Sequence, residues 1–373
     1  MVVGIIGSGA MGAGIAQVAA MAGHTVWIYD TQQAALEKAS ASLKSNLTKL
    51  EEKGKIKDAA SVFTTMHFVS SLSALAPCKL VIEAIIENLN IKKTVFSELE
   101  TIVADDCILA SNTSSLSITS IAAACKLPQR VLGLHFFNPA PLMALVEIIP
   151  AIQTDEQLLS TIKELMLTWG KTPVLAKDTP GFIVNRIARP FYGEAIRIYE
   201  EGIAEMATID WALTHIGGFK MGPFALMDYI GHDVNYVVTE TVFESFYYDP
   251  RYKPSFSQKR LLEAGWLGRK TGRGFYNYAA TATLPSPKED LELGKQIVDR
   301  VVAMLINEAM EALHLQIANA ADLETAMTKG VNYPKGLLAW CEEWGKENVL
   351  AVLDNLYHQY HEDRYRACVL LRK

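Results

Sequence analysis

A glycine-rich turn and an acid a little over twenty residues downstream carry the first legible chemistry, the binding of a dinucleotide. The turn is Gly7-Ser8-Gly9-Ala10-Met11-Gly12 and the acid is Asp30. Gly7 permits the tight turn, Gly9 lets backbone approach a pyrophosphate, and Gly12 lets the next helix pack close to the strand before it. That helix, 13 to about 21, presents N–H donors and a positive dipole end to the phosphates. Ala10 and Met11 complete the expected cofactor cradle. Asp30 is placed to accept hydrogen bonds from both adenosine ribose hydroxyls, which favours NAD over NADP. Its competing role is a cap for the segment that starts at Thr31. A second chemistry, proton transfer, is available at His135 in Gly133-Leu134-His135-Phe136-Phe137-Asn138-Pro139. Imidazole titrates near neutral pH, so it can take a hydroxyl proton and return it in the reverse direction. Oxidation of a secondary alcohol needs such a base while hydride leaves carbon for a nicotinamide.

These groups need a scaffold. Residues 2–6 are nearly all apolar, as in a central parallel strand buried on both faces. Further strands are expected at 26–29, 67–69, 80–84, 108–111, 131–137 and 145–149, with helical stretches between most of them. That alternation predicts a doubly wound α/β domain, with ligand groups at the carboxyl ends of the strands. Glu83-Ala84-Ile85-Ile86-Glu87-Asn88 and Asn112-Thr113-Ser114-Ser115 stand at two of those ends. A long helical stretch, about 32–60, carries Lys44, Lys49, Lys53, Lys55 and Lys57. It reads either as a solvated face laced with ion pairs or as a grip for phosphates.

Several motifs are more particular. Gly133 to Pro139 is followed by Val146-Glu147-Ile148, and the chain also has Ser111-Asn112-Thr113-Ser114-Ser115-Leu116. Asp178-Thr179-Pro180-Gly181-Phe182-Ile183-Val184-Asn185-Arg186 and Gly268-Arg269-Lys270-Thr271-Gly272-Arg273-Gly274-Phe275-Tyr276 come later. In order and spacing these resemble the 3-hydroxyacyl-CoA dehydrogenase family. The resemblance implies NAD as cofactor and an acyl-CoA thioester as substrate, with no metal. It makes Glu147 the partner that fixes the His135 tautomer and stabilises the imidazolium. It makes Ser114 the donor to the substrate's C3 oxygen and Asn185 a residue of the substrate side. Glu87, Lys92 and Asn112, with Ser114, correspond to the nicotinamide half of the cofactor site. Asn138, Lys44, Lys49 and Lys53 are the remaining expected substrate contacts. Two unexplained buried polar groups on adjacent strands, His135 and Glu147, would be costly without such a role. A non-catalytic protein on the same scaffold, as in related lens crystallins, would not require Ser114, His135, Glu147 and Asn185 together. A β-hydroxyacid dehydrogenase would carry a lysine base on the helix where this chain has Asn185.

After Pro180-Gly181 the pattern turns helical. Residues 182 to about 202 read as one amphipathic helix, and 279–287 as a small-residue linker. Beyond it Glu194-Ala195 recurs as Glu308-Ala309, an offset of 114. The same offset pairs Ile203 with Ile317, Phe219 with Tyr333, Gly222 with Gly336 and Gly231 with Gly345, which signals duplication. Arg186 meets Arg300, but Asn185 meets Asp299. The expected organisation is a Rossmann-type domain at 1–180 and two tandem all-helical domains at 181–280 and 290–373. The second helical domain is a degenerate copy that takes the surface of a dimer mate. Family members that act on 3-hydroxyadipyl-CoA in phenylacetate breakdown resemble this chain in carrying such a copy. A terminal carboxylate on the substrate would want a cation in the cleft, and Arg189 and Arg197 lie on the right helix. The rest of the composition narrows the classes. A net charge of −6 argues against nucleic acid or a membrane surface as partner. Five scattered cysteines without a C-x-x-C pair read as reduced thiols. No apolar run spans a bilayer, and Met1 leads directly into a strand, so a cytoplasmic protein without a leader is expected.

Overall fold

The computed structural model describes residues 1–373. The chain divides into two compact units, Met1–Phe182 and Ile183–Lys373. The first is built on eight strands: β1 (Val2–Ile6), β2 (Thr25–Tyr29), β3 (Met66–Val69), β4 (Leu80–Glu83), β5 (Ile108–Ser111), β6 (Val131–Phe136), β7 (Leu145–Pro150) and β8 (Thr172–Leu175). Their order is β3-β2-β1-β4-β5-β6-β7-β8. The run from β3 to β6 is the parallel order of a dinucleotide-binding sheet. β7 then runs antiparallel to β6, and β8 parallel to β7. The connection from β6 to β7 spans only 137–144, too short for the crossover a parallel pair requires. β8 is short, contains Pro173 and closes the sheet as an edge strand. Proline cannot donate to a ladder and is confined to such edges; this strand was not among those expected.

Six helices join these strands: α1 (Ala10–Met21), α2 (Gln33–Glu52), α3 (Ala59–Thr64), α4 (Leu89–Glu100), α5 (Ile118–Ala122) and α6 (Glu156–Thr168). The long helical stretch therefore folds as a hairpin, turned at Gly54 (φ 67°). Asp58 starts its second arm by accepting from Ser61 N at 2.9 Å. Leu36, Ala39, Leu43 and Leu47 form the buried stripe of α2 at helical spacing, and its lysines stay outside.

The second unit is helical: α7 (Val184–Ile187), α8 (Arg189–Glu200), α9 (Met206–Trp211), α10 (Pro223–Ile230), α11 (His232–Ser245), α12 (Phe256–Glu263), α13 (Leu291–His314), α14 (Ala320–Gly330), α15 (Leu337–Trp344) and α16 (Lys346–Tyr360). The helix expected over 182–202 is interrupted at Ala188, because Pro190 has no N–H to donate into the preceding turn. The second copy has Met304 there, and α13 runs unbroken. Duplication is visible atom by atom. Asp210 accepts from Phe224 N and Ala225 N, both at 2.9 Å. Glu324, 114 residues on, accepts from Leu338 N and Ala339 N at 2.8 and 3.2 Å. A Cβ at Gly222 would lie 2.4 Å from Asp210 Cγ, and one at Gly336 only 1.9 Å from Glu324 Oε2, so both copies keep glycine.

The copies also exchange charges. Arg186 of the first donates to Glu308 of the second at 2.6 Å, and Arg300 of the second donates to Glu194 of the first at 3.0 Å. Each member of one pair is the offset equivalent of a member of the other. Glu308 also accepts from Arg251 and Tyr252, and Glu194 from Arg197 and Tyr365. Both glutamates are fully buried. Burial alone would raise their pKa values, but the arginines outweigh it and hold both carboxyls below their ordinary range. Glu308→Ala leaves Arg186 and Arg251 buried without a counter-charge and should cost about 3–5 kcal/mol. Glu194→Ala should cost a similar amount, and urea midpoints of the two variants measure it. Because both pKa values are depressed, the wild-type contribution is present above the ordinary glutamate value and is lost as pH falls below it. The thermal midpoint should drop on acidification below about pH 4.5, and less so in either variant.

Candidate active site

The apolar β1 ends at Gly7, whose φ of 98° turns the chain away from the sheet. A Cβ at Gly12 would lie 1.8 Å from the Gly7 carbonyl oxygen, so only glycine lets α1 begin this close to the strand. At Gly9 the space where a Cβ would stand is open. Ala10 and Met11 form the first turn of α1, where helical N–H groups lack partners within the helix. Asp30, just beyond β2, accepts from Ser8 N at 2.8 Å and Ser8 Oγ at 2.7 Å, and from Gln32 N at 3.0 Å. Burial would raise its carboxyl, but these hydrogen bonds win and lower it. Asp30 thus braces the glycine turn. The N-cap of α2 is Gln32.

At the end of β4, Glu83, named above only within its strand-end segment and given no role of its own, is fully buried. It accepts from Lys92 Nζ at 2.6 Å, Ser111 Oγ at 2.6 Å and Ile85 N at 2.7 Å. Lys92, on the first turn of α4, is buried with it and lies 3.3 Å from Glu87 Oε2. Glu87 accepts from Thr113 Oγ1 and from Ser114 N at 3.1 Å. These bonds tie the carboxyl ends of β4 and β5 together and set the turn that bears Ser114. Asn112 Oδ1 accepts from Phe136 N at 2.8 Å, which carries the network to β6.

His135 and Glu147 stand directly opposite each other in the antiparallel β6–β7 register. Their Nδ1 and Oε2 atoms are 2.6 Å apart, with Glu147 fully buried and His135 6% exposed. With the carboxylate accepting at Nδ1, the neutral imidazole keeps Nε2 as a lone-pair acceptor. Phe137 and Phe182 flank the ring, at centroid distances of 4.5 and 5.9 Å. Such a pair can take up one proton and stabilise the cation that results.

A groove of about 760 Å³ adjoins α1 and α2. Lys49, Lys53, Lys55 and Asn138 line it, whereas Lys44, exposed on α2, does not. Lys171 also lines the groove and had no signal in the sequence. Only 7% exposed, it donates to the carbonyls of Ala140 and Met143, and burial lowers its pKa to about 8. The loop it holds joins β6 to β7. The first unit therefore brings together Gly7, Gly9, Gly12 and Asp30, then Glu87, Lys92, Asn112 and Ser114, and the His135–Glu147 pair. Asn185 lies on α7 of the second unit, half-buried. No group of three His, Cys, Asp or Glu side chains could hold a metal ion, and no helix is long and apolar enough to cross a membrane.

Residues 2–179 match the 3-hydroxyacyl-CoA dehydrogenase NAD-binding domain. The 3-hydroxyacyl-CoA dehydrogenase C-terminal domain is matched at 181–278 and again at 297–373. The 3-hydroxyadipyl-CoA dehydrogenase of Escherichia coli (strain K12) is 39% identical, covering 100% of this chain and 96% of that protein. Its alignment runs over 458 positions against 373 residues here, so that relative carries residues this chain lacks. Human mitochondrial hydroxyacyl-coenzyme A dehydrogenase is 42% identical over 74% of this chain and 90% of its own length. The crystal structure of 3-hydroxybutyryl-CoA dehydrogenase from E. coli K12 superposes with a TM-score of 0.94 at 37% identity, covering 100% of this chain and 97% of that one.

Proposed function

This chain belongs to the 3-hydroxyacyl-CoA dehydrogenase family and is an NAD-dependent oxidoreductase, and from that premise we propose that it interconverts (S)-3-hydroxyacyl-CoA and 3-oxoacyl-CoA with His135 as the acid/base. The observation that carries the reading is the buried 2.6 Å contact between His135 Nδ1 and Glu147 Oε2. His135 Nε2 takes the C3 hydroxyl proton, and Glu147 stabilises the imidazolium without itself becoming protonated. NAD, when bound, accepts the hydride from C3. Ser114 Oγ donates to the C3 oxygen, and Asn185 serves the substrate side. Asp30 and the glycine turn hold the adenosine ribose and pyrophosphate. The Glu83–Lys92 ion pair, with Glu87 and Asn112, shapes the nicotinamide end. Asn112 Oδ1 is committed to Phe136 N, which leaves its amide N–H groups as the donors it can offer a ligand. Lys49 and Lys53 on the groove, with Asn138, bind the polyanionic CoA, and Lys44 contributes at most to the long-range field.

The acyl chain in this reading is short or is 3-hydroxyadipyl, the substrate named for the E. coli relative. Steady-state kinetics test the whole reading. Acetoacetyl-CoA with NADH and 3-hydroxybutyryl-CoA with NAD should turn over, with NADP(H) a poor substitute and free 3-hydroxybutyrate inert. Equal rates on the free acid, or a preference for NADP, would overturn it.

The same family premise extends to assembly. The second helical copy occupies, within one chain, the place of a dimer mate, and the support for this is the reciprocal exchange of Arg186–Glu308 and Arg300–Glu194. A pairing in which residue i meets j and j meets i is the signature of an isologous contact. A chain ending at Tyr278 would leave Arg186 and the apolar face of α8 uncovered. Light scattering should show that truncated chain self-associating or aggregating relative to the full one. The same subunit number and solubility for both would contradict the substitution.

A further inference from the structure

A buried ammonium in the first unit stands on a groove that holds cations and no acid. The chain has 41 acidic residues against 35 lysines and arginines, yet Lys49, Lys53, Lys55 and Lys171 line this groove without one Asp or Glu. Lys49, Lys53 and Lys55 are exposed, as lysines usually are. Lys171, just before β8, is only 7% exposed. Its Nζ donates to the carbonyl oxygens of Ala140 at 2.5 Å and Met143 at 2.8 Å. Burial alone acts on its pKa, which falls to about 8 with no acid near enough to restore it. A buried charge held this way is costly.

The clamp on the β6–β7 loop does not need that charge. An ammonium has three N–H groups and a neutral amine two, enough for the two carbonyls. The third N–H and the positive charge are surplus to the clamp, and no group of the protein takes them. The surrounding elements offer no counter-ion. α1, β8 and residues 137–144 contain no charged side chain. On α6, Glu156, Lys163 and Glu164 are exposed, and Glu147 of β7 is committed to His135. His24, whose ring centroid lies 5.6 Å from that of Trp169, is held below its ordinary pKa by burial and then by the amino terminus.

We infer that Lys171 is a phosphate contact for the CoA moiety, giving its third N–H and its charge to the groove it shares with Lys49 and Lys53. This rests on the dehydrogenase reading above and on that groove as the place of CoA. Lysine binds phosphate as a point charge. Unlike the exposed lysines, Lys171 is already fixed by two hydrogen bonds, so little side-chain freedom is lost when an anion arrives. Its charge is also conditional, present below about pH 8 and lost above it. A bound phosphate favours the charged form, so binding near that pH takes up a proton, and affinity falls as pH rises through it. The phosphate monoester is itself already doubly ionised there, its second pKa being about 6.

The test compares kcat/KM for 3-hydroxybutyryl-CoA and 3-hydroxybutyryl-pantetheine, thioesters that share the reacting carbons and differ in the phosphorylated nucleotide, at saturating NAD. Their ratio cancels the chemistry at His135. In the wild type it should fall about tenfold between about pH 7 and about pH 9.5, the low end for a hydrogen bond to a charged group. Lys171→Met should start at the lower ratio and stay flat. Lys171→Arg, which stays charged across the range, should hold the higher one. If Lys171→Met does not fold, calorimetry on the wild type in two buffers of different ionisation enthalpy reads the same event. At about pH 8 the CoA thioester should take up a proton on binding and the pantetheine thioester should not. A wild-type ratio independent of pH, a ratio that Lys171→Met leaves unchanged, or no proton uptake overturns the assignment of Lys171. A loss of NAD affinity in Lys171→Met with the ratio intact would give the contact to the cofactor and overturn it too. No turnover of either thioester by the wild type would instead fail the dehydrogenase reading beneath it.

Discussion

A reversed strand pair inside an otherwise parallel run places the proposed acid/base pair of this molecule. Parallel neighbours need a crossover of a dozen residues or more, and their side chains meet in a slanted register. Reversing β7 against β6 allows an eight-residue connection and puts His135 directly opposite Glu147. A carboxylate so buried is costly unless paired. The 2.6 Å contact with the imidazole therefore also helps Glu147 to remain inside the sheet. The surroundings serve this contact. Asn112 pins the backbone of Phe136 from β5, Lys171 clamps the loop between the two strands, and Phe137 and Phe182 flank the ring.

The helical unit shows how duplication divides labour between copies. What both copies need for folding is repeated: the Asp210 and Glu324 helix caps, the close-packed Gly222 and Gly336, and the crossed arginine–glutamate pairs. What only one copy carries is polar and near Asn185. The second has Asp299 for that asparagine and apolar residues for Arg189, Tyr192 and Thr239. A repeat inside one chain thus supplies an internal control, since a residue kept in one copy and replaced by hydrocarbon in the other is not required by the packing.

Much of this was legible in the residues themselves. The strand–turn–helix–strand run to Asp30, the parallel sheet and the dinucleotide site follow from local patterns whose physics is short-range, and the family from the resemblance of its motifs. Boundaries blurred where proline acts: β8, which contains Pro173, was not among the expected strands, and one helix was expected where Pro190 makes two. Harder to see were the groups defined by burial. Glu83 reads as an ordinary strand-end acid until Lys92 and Ser111 close on it from 9 and 28 residues away. Lys171 has no motif at all, because its partners are backbone carbonyls. The reciprocity of Arg186–Glu308 and Arg300–Glu194 needed three dimensions, although the offset of 114 already contained it.

In the proposed reaction His135, held by Glu147, moves the proton while the glycine turn holds the cofactor independently. Single-turnover hydride transfer in His135→Ala, followed by NADH absorbance with NAD affinity measured in parallel, tests both halves at once. The rate should fall by at least about a hundredfold with NAD affinity little changed. Near-normal hydride transfer, or an equal loss of NAD binding, would contradict it.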